Sequence, residues 1–241
     1  MFPIYINMWR RLIAEALGSF LLTLSITASH FNMFQIPGTY YSAYPAAGSV
    51  VTIMMMTGFI SGAKFNPAIT IGHLVSQTLS VKVQKEDIIE HVLYIFAQMI
   101  AAIPGAYLGW GINRSTMYFD AVNESSTASA FFAELVYSTL IVGVALMLGK
   151  MNDSIIIGTV GLGVAYFGGI LAVGLISGGC FNPALGLAAN LVHYTAHQSH
   201  TNRLWIYLIA PTLGGAIAGV LNTVFISELK SQKRSRVDPN S

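Results

Sequence analysis

Charged side chains are scarce along this chain. Of its 241 residues only 9% are Asp, Glu, Lys or Arg, whereas 54% are hydrophobic. Soluble domains carry about 25% charged residues, so this chain cannot cover itself with a water-facing surface. The composition therefore indicates an integral membrane protein in contact with a lipid bilayer. The formal net charge of +2 gives no reason to expect a nucleic-acid partner.

Cysteine is almost absent as well. The single cysteine, Cys180, excludes an internal disulfide and offers no cysteine cluster for a metal. The sequence also lacks a nucleophile–base pairing, a metal-ligand spacing and a phosphate-binding loop, so it predicts neither an enzyme nor a bound metal or cofactor. The first apolar run is too long for a cleavable signal peptide, and we expect it to remain part of the protein.

Six apolar runs are long enough to cross a bilayer as helices, because about 20 residues span roughly 30 Å of hydrocarbon. They cover about Trp9–Phe31, Tyr44–Gly62, Ile88–Trp110, Ser129–Gly149, Ile155–Ile176 and Leu204–Ile226. Two shorter apolar pieces, Pro67–Leu79 and Pro183–His193, follow the second and fifth runs and cannot span. We expect re-entrant half-helices or surface segments there. Irregular backbone at membrane depth is tolerated only inside protein or beside a water-filled cavity, so the pair suggests a pore.

Each short piece opens with the same motif. It reads Ile-Ser-Gly, three further residues and Asn-Pro-Ala, and it occurs at residues 60–68 and 176–184. Asn before a Pro at the first helical position is a strong helix start. A single copy would suggest an ordinary capped helix. Two copies in matching contexts predict that Asn66-Pro67-Ala68 and Asn182-Pro183-Ala184 meet at the centre of a pore, with the carbonyls near residues 62–64 and 178–180 as hydrogen-bond acceptors.

The two halves of the chain repeat. Glu15 and Glu134 lie 119 residues apart in the first and fourth spans, and the motif asparagines lie 116 residues apart. Each half has three spans, an odd number, so the second half must be inverted relative to the first. We predict one all-α membrane domain over residues 1–241. Its repeats cover about 9–110 and 129–226, and a loose cytoplasmic tail covers 227–241.

The positive charges predict the orientation. Ten of the twelve Lys and Arg residues fall on the N-terminus, alternate loops and the C-terminal tail, and only Arg114 and Arg203 fall on the other side. Positive charge favours the cytoplasmic side, so both termini should be cytoplasmic. Two triplets in the opposite loop, Asn113-Arg114-Ser115 and Asn123-Glu124-Ser125, match the N-glycosylation pattern.

This combination resembles the aquaporin, or major intrinsic protein, family over nearly the whole chain. The resemblance is carried by both Asn-Pro-Ala motifs, Glu15 and Glu134, Ala97-Gln98 in the third span, and Trp205, Tyr207, Pro211 and Gly214-Gly215-Ala216 in the sixth. It implies the aquaporin fold with one narrow pore per subunit and a homotetramer. A place in a larger membrane assembly is a further alternative. The resemblance also implies that Glu15, Gln98 and Glu134 hold the pore loops. The alternative for the glutamates is a proton relay, because carboxylates within a membrane are costly and usually functional.

The chain departs from the family at the pore mouth. Most members carry Arg three residues after the second motif asparagine, where this chain has Leu185. Counting by the family pattern, the other constriction positions are Gly179, Ile170 and Ala46. Glycerol-type members add an aspartate at the position of Gly186. We therefore expect an apolar, uncharged filter.

Lys64, two residues before the first motif, has two readings. It can add positive potential at the inner vestibule in place of the missing arginine, or it can only snorkel to lipid headgroups and mark the cytoplasmic side. The expected function is a passive channel for water and small uncharged solutes of the glycerol, urea, ammonia or hydrogen peroxide class. The main alternative is a poorly conducting structural subunit with the same fold, and a proton-coupled transporter has less support.

Overall fold

The computed structural model describes residues 3–29, 42–80, 83–122, 125–148, 155–199 and 202–237. Within these ranges the chain forms eight helices and no strands. They are α1 (Pro3–Ala28), α2 (Ala43–Ser61), α3 (Pro67–Ser80), α4 (Lys85–Asn113), α5 (Thr127–Leu148), α6 (Ile155–Ser177), α7 (Pro183–His197) and α8 (Leu204–Val237). Six of them, all except α3 and α7, contain a stretch long and apolar enough to cross a membrane. The predicted all-α membrane fold with six spans is confirmed.

The two short helices begin where the sequence predicts. α3 and α7 start at the prolines of the two motifs and contain 14 and 15 residues. At 1.5 Å per residue neither can cross a bilayer of about 30 Å. α7 ends at His197, four residues beyond the predicted end, and Gln198 closes it in a left-handed conformation with its N–H on the Tyr194 carbonyl.

The C-terminal segment differs from the prediction. The sequence suggests a loose tail over residues 227–241, but α8 continues to Val237. The added segment is rich in Glu, Leu, Lys, Gln and Arg, which are good helix formers, so polarity alone does not end the helix. Residues 238–241 lie outside the described ranges. So do Asn123 and Glu124 of the second glycosylation triplet.

The helices of the two halves pack in the same pattern. α1 packs against α2 and α4, and α5 packs in the same way against α6 and α8. α3 packs mainly against α8 of the other half, and α7 packs mainly against α4. α2 and α6 contact each other directly. Each half-helix is therefore held by the last helix of the opposite half, which places both motifs between the halves.

Two glycine pairs allow the close helix crossings. A Cβ atom added at Gly105 of α4 would lie 2.5 Å from the Phe20 carbonyl oxygen of α1. One added at Gly219 of α8 would lie 2.7 Å from the Gly72 carbonyl oxygen of α3. Such contacts are too short for any side chain, so backbone meets backbone at both crossings. Gly105-xxx-Gly109 and Gly215-xxx-Gly219 thus serve packing within this bundle.

The bundle has an apolar exterior and a partly polar interior. Large apolar side chains on the outside are exposed; Phe59 is 80% and Ile100 66% accessible. In contrast, Glu15, Glu134 and Gln98 are completely buried. This distribution is the reverse of a soluble protein and fits a surface that lies against lipid or a neighbouring subunit.

Candidate functional site

The two motif asparagines meet in the middle of the bundle. The Asn66 Nδ2 group donates to the Phe181 carbonyl at 2.8 Å, and the Asn182 Nδ2 group donates to the Phe65 carbonyl at 3.1 Å. Each asparagine therefore bonds to the residue that precedes the other one. The reciprocal bonds bring the N-termini of α3 and α7 together.

The same asparagines begin their own half-helices. The Asn66 side-chain oxygen accepts from the Ala68 N–H at 2.8 Å, and the Asn182 oxygen accepts from the Ala184 N–H at 3.0 Å. The oxygens thus act as N-caps, while the nitrogens reach across to the opposite loop. Pro67 and Pro183 occupy the first helical positions and, like both motif alanines, are buried.

The loops before the motifs have matching and unusual backbone conformations. Positive φ angles occur at Gly62 (83°), Ala63 (48°) and Phe65 (52°), and again at Gly178 (88°), Gly179 (67°) and Phe181 (53°). A non-glycine residue in this region costs about 1–2 kcal/mol. Outside contacts must therefore hold these loops in place.

Glu15 of α1 holds the first loop. Its completely buried carboxylate accepts from the backbone N–H groups of Lys64 at 2.9 Å and Phe65 at 2.8 Å. It also accepts from the Ser61 hydroxyl at 2.7 Å and from Gln98 Nε2 at 2.8 Å. Four hydrogen bonds to one carboxylate match its acceptor capacity of about four lone-pair sites.

Glu134 of α5 holds the second loop in the same way. Its buried carboxylate accepts from the N–H groups of Cys180 at 2.9 Å and Phe181 at 2.7 Å, and from the Ser177 hydroxyl at 2.7 Å. A tyrosine hydroxyl from the last helix of each half adds a further contact. Tyr94 donates to the Ser61 carbonyl at 3.3 Å, and Tyr207 donates to the Ser177 carbonyl at 2.7 Å.

The four residues expected at the constriction are all buried. Gly179 lies against α6, since a Cβ atom there would be 3.1 Å from the Ile170 Cα atom. Ala46 and Leu185 belong to the same hydrophobic core cluster as Ile170. A Cβ atom on the neighbouring Gly186 would lie 2.8 Å from the Tyr207 Cβ atom, so a larger side chain would displace α8. The close packing of α7 on α8 thus accounts for glycine there.

Lys64 lies half-buried at the edge of the first loop. Its ammonium nitrogen is 4.8 Å from the centroid of the Tyr94 ring, a distance at which the ring attracts the cation. Its backbone N–H bonds to Glu15. The side chain therefore packs on an aromatic ring of the bundle instead of extending away from it.

Sequence reasoning missed Tyr166 and the roles of the motif serines. The Tyr166 hydroxyl accepts a hydrogen bond of 2.9 Å from Asn66 Nδ2, and the side chain is only 3% exposed. Tyr166 precedes Ile170 by four residues, so helical periodicity places both on one face of α6 and could have identified it. Ser61 and Ser177 lie in the repeated Ile-Ser-Gly stretch. Their repetition was the sequence signal that could have identified them as residues that hold the loops.

Comparison with known proteins agrees with this geometry. The family model described as major intrinsic protein matches residues 4–222. The chain is 32% identical to "Probable aquaporin NIP7-1" of Arabidopsis thaliana, in an alignment that covers 99% of this chain and 84% of that protein. It is 27% identical to "Glycerol uptake facilitator protein-like 6" of Lactiplantibacillus plantarum, covering 91% of this chain and 99% of that one.

The fold also matches a solved structure. The X-ray structure of the aquaglyceroporin from Plasmodium falciparum superposes with a TM-score of 0.73 at 21% identity, covering 92% of this chain and 98% of the other. This likeness concerns the fold alone, while the family match extends over most of the sequence. The chain therefore belongs to the major intrinsic protein family.

Proposed function

We propose that this protein is a passive membrane channel for water and small uncharged solutes, such as glycerol, urea, ammonia or hydrogen peroxide. The observation that carries the proposal is the reciprocal pairing of Asn66 and Asn182 with the opposite loops. It joins two half-helices at their N-termini inside the bundle. Its family is one of channels, and the protein is not an enzyme.

The paired N-termini favour neutral solutes over cations. Each helix N-terminus carries the positive end of the helix dipole, equivalent to roughly half an elementary charge. Two such ends at one point raise the local potential, which opposes a cation or a migrating proton. The loop carbonyls near residues 62–64 and 178–180 are proposed to serve as acceptors that replace part of a solute's hydration shell.

Glu15, Gln98 and Glu134 are proposed to fix the shape of the pore rather than to move protons. Each glutamate accepts from two consecutive backbone N–H groups of its loop. Gln98 links Glu15 to Thr70 of α3, with bonds of 2.8 and 2.9 Å. These bonds connect the three side chains to the two loops and to α3, which supports bracing.

Ala46, Ile170, Gly179 and Leu185 are proposed to form an apolar constriction on the non-cytoplasmic side. The Leu185 side chain offers no charge, so the barrier to cations must lie elsewhere. We propose that Lys64 and the helix dipoles supply it from the cytoplasmic side. Packing of Lys64 on Tyr94 keeps the ammonium near the first loop and supports this placement over a role as a topology marker only.

The orientation and assembly are proposed from charge and family. The excess of Lys and Arg on one side favours cytoplasmic termini. The exposed apolar side chains, among them Phe59 and Ile157, fit lipid and the neighbouring copies of a homotetramer. Cross-linking in membranes followed by mass measurement tests the tetramer.

A second candidate is a structural subunit with the same fold and little permeation. Two observations favour it: Leu185 replaces the expected arginine, and the Asn66 amide already bonds to Tyr166 and Phe181. Osmotic shrinkage of vesicles containing the purified protein distinguishes the candidates. A channel gives water or solute flux above protein-free vesicles, unaffected by an imposed pH gradient. A structural subunit gives none, and a proton-coupled transporter responds to the gradient.

A further inference from the structure

The two motif asparagines differ in the hydrogen-bond partners of their side-chain amides. The Asn66 amide has two hydrogens, and they are given to the Phe181 carbonyl at 2.8 Å and the Tyr166 hydroxyl at 2.9 Å. The Asn182 amide gives one hydrogen to the Phe65 carbonyl. Among the described residues, its other hydrogen meets no protein acceptor. Only the first asparagine therefore has its donors fully occupied by the protein.

The difference follows from the sequence repeat. The offset of 116 residues that relates Asn66 to Asn182, and Ser61 to Ser177, also relates Val50 of α2 to Tyr166 of α6. Val50 is buried, as Tyr166 is, but it is short and has no hydroxyl. The second half thus places a phenol where the first half places an isopropyl group. This asymmetry explains why Asn66, and not Asn182, is bonded to a tyrosine.

Tyr166 also lies next to the constriction. It precedes Ile170 by one turn on α6, so the two side chains lie on the same helix face about 6 Å apart along the axis. Ile170 contacts Gly179 of the second loop. The Tyr166 hydroxyl reaches Asn66 of the opposite half. The ring therefore lies between the proposed constriction at Ile170 and the motif asparagine Asn66.

We propose that Tyr166 is the size-determining residue of the pore centre. Its ring narrows the passage beside Asn66, and its hydroxyl replaces the Asn66 amide as the polar group that a permeating molecule meets. This inference rests on the proposed channel function. A hydroxyl both donates and accepts hydrogen bonds, so the site still suits water. Among the proposed solutes, those of the glycerol and urea class are slowed by the ring relative to water.

The test compares solute permeability with water permeability in vesicles containing the full-length protein. Tyr166→Val copies the other half of the chain and removes the ring. It should raise the ratio of glycerol or urea permeability to water permeability by about fivefold or more, because pore diameter sets this selectivity. Tyr166→Phe keeps the ring and should leave the ratio within about twofold of wild type. Tyr137→Phe is the matched control, because Tyr137 packs its ring on Phe181 from α5.

The outcomes separate this inference from the proposed function. If the wild type passes water and Tyr166→Val keeps the wild-type ratio, Tyr166 does not set the size limit and only the inference fails. The inference also fails if vesicles with the wild type pass glycerol as fast as vesicles with Tyr166→Val. If no variant exceeds protein-free vesicles for any solute, the channel function fails as well. Tyr166→Leu keeps more apolar volume and carries the same test if the valine variant does not give folded protein.

Discussion

Replacing Glu134 by glutamine should destabilise the second pore loop. The carboxylate accepts from Cys180 N–H and Ser177 Oγ on one oxygen and from Phe181 N–H on the other. A glutamine has one oxygen and one NH₂ group, so either orientation leaves at least one of these backbone N–H groups facing a donor. An unpaired buried donor costs about 1–3 kcal/mol. We therefore expect Glu134→Gln to lower the free energy of unfolding by about that amount.

The assay is thermal unfolding of purified protein in detergent, with fluxes measured on the same preparations. A loss of 1–3 kcal/mol corresponds to several degrees of apparent melting temperature for a chain of about this size. Glu90→Gln is the matched control. Glu90 pairs with Arg11 at 3.0 Å at a partly exposed site, where an ion pair contributes at most about 1 kcal/mol. A Glu134→Gln melting temperature no lower than that of Glu90→Gln would refute the bracing role. Unchanged stability with a lost pH-dependent flux would indicate a proton relay instead.

Two further predictions concern packing and ion exclusion. Gly219→Ala should cost about 1–3 kcal/mol in unfolding free energy, because its Cβ atom would lie 2.7 Å from the Gly72 carbonyl. Gly143→Ala is the control, because no atom lies within 4 Å of a Cβ atom added there, and it should lower the unfolding free energy less. Equal melting temperatures of the two variants would contradict the close packing at Gly219. Lys64→Gln should raise cation conductance, and adding Leu185→Arg should suppress it again. No leak in Lys64→Gln would assign the barrier to the helix dipoles alone.

Much of the fold follows from the sequence because the bilayer imposes simple lengths. Six apolar runs of about 20 residues can only be spans, and the Asn-Pro pairs fix the first residues of α3 and α7. Helix ends are less determined. α8 continues to Val237 because good helix formers follow its apolar part. A hydropathy profile does not measure helix propensity, so it does not predict this extension.

The sequence predicts less of the candidate site than of the fold. The repeat singles out Asn66, Asn182, Glu15 and Glu134, but it does not tell which groups each of them bonds. The Tyr166–Asn66 bond joins a side chain of α6 to one at the end of the first loop, 100 residues away in the opposite half. Such a contact depends on the rotation of α6 against the first loop. α6 packs on both α2 and α5, and no local sequence pattern encodes that packing.

The most direct test of the account compares osmotic water flux through vesicles with the wild type and with Asn182→Asp at equal protein content. The Asn182 amide donates to the Phe65 carbonyl at 3.1 Å, and a carboxylate would remove that donor and set two oxygens against each other. It would also add a buried negative charge at the paired N-termini. We predict wild-type flux above protein-free vesicles and a loss of about tenfold or more of that excess in Asn182→Asp. Equal flux through both proteins would contradict a pore centred on the paired asparagines.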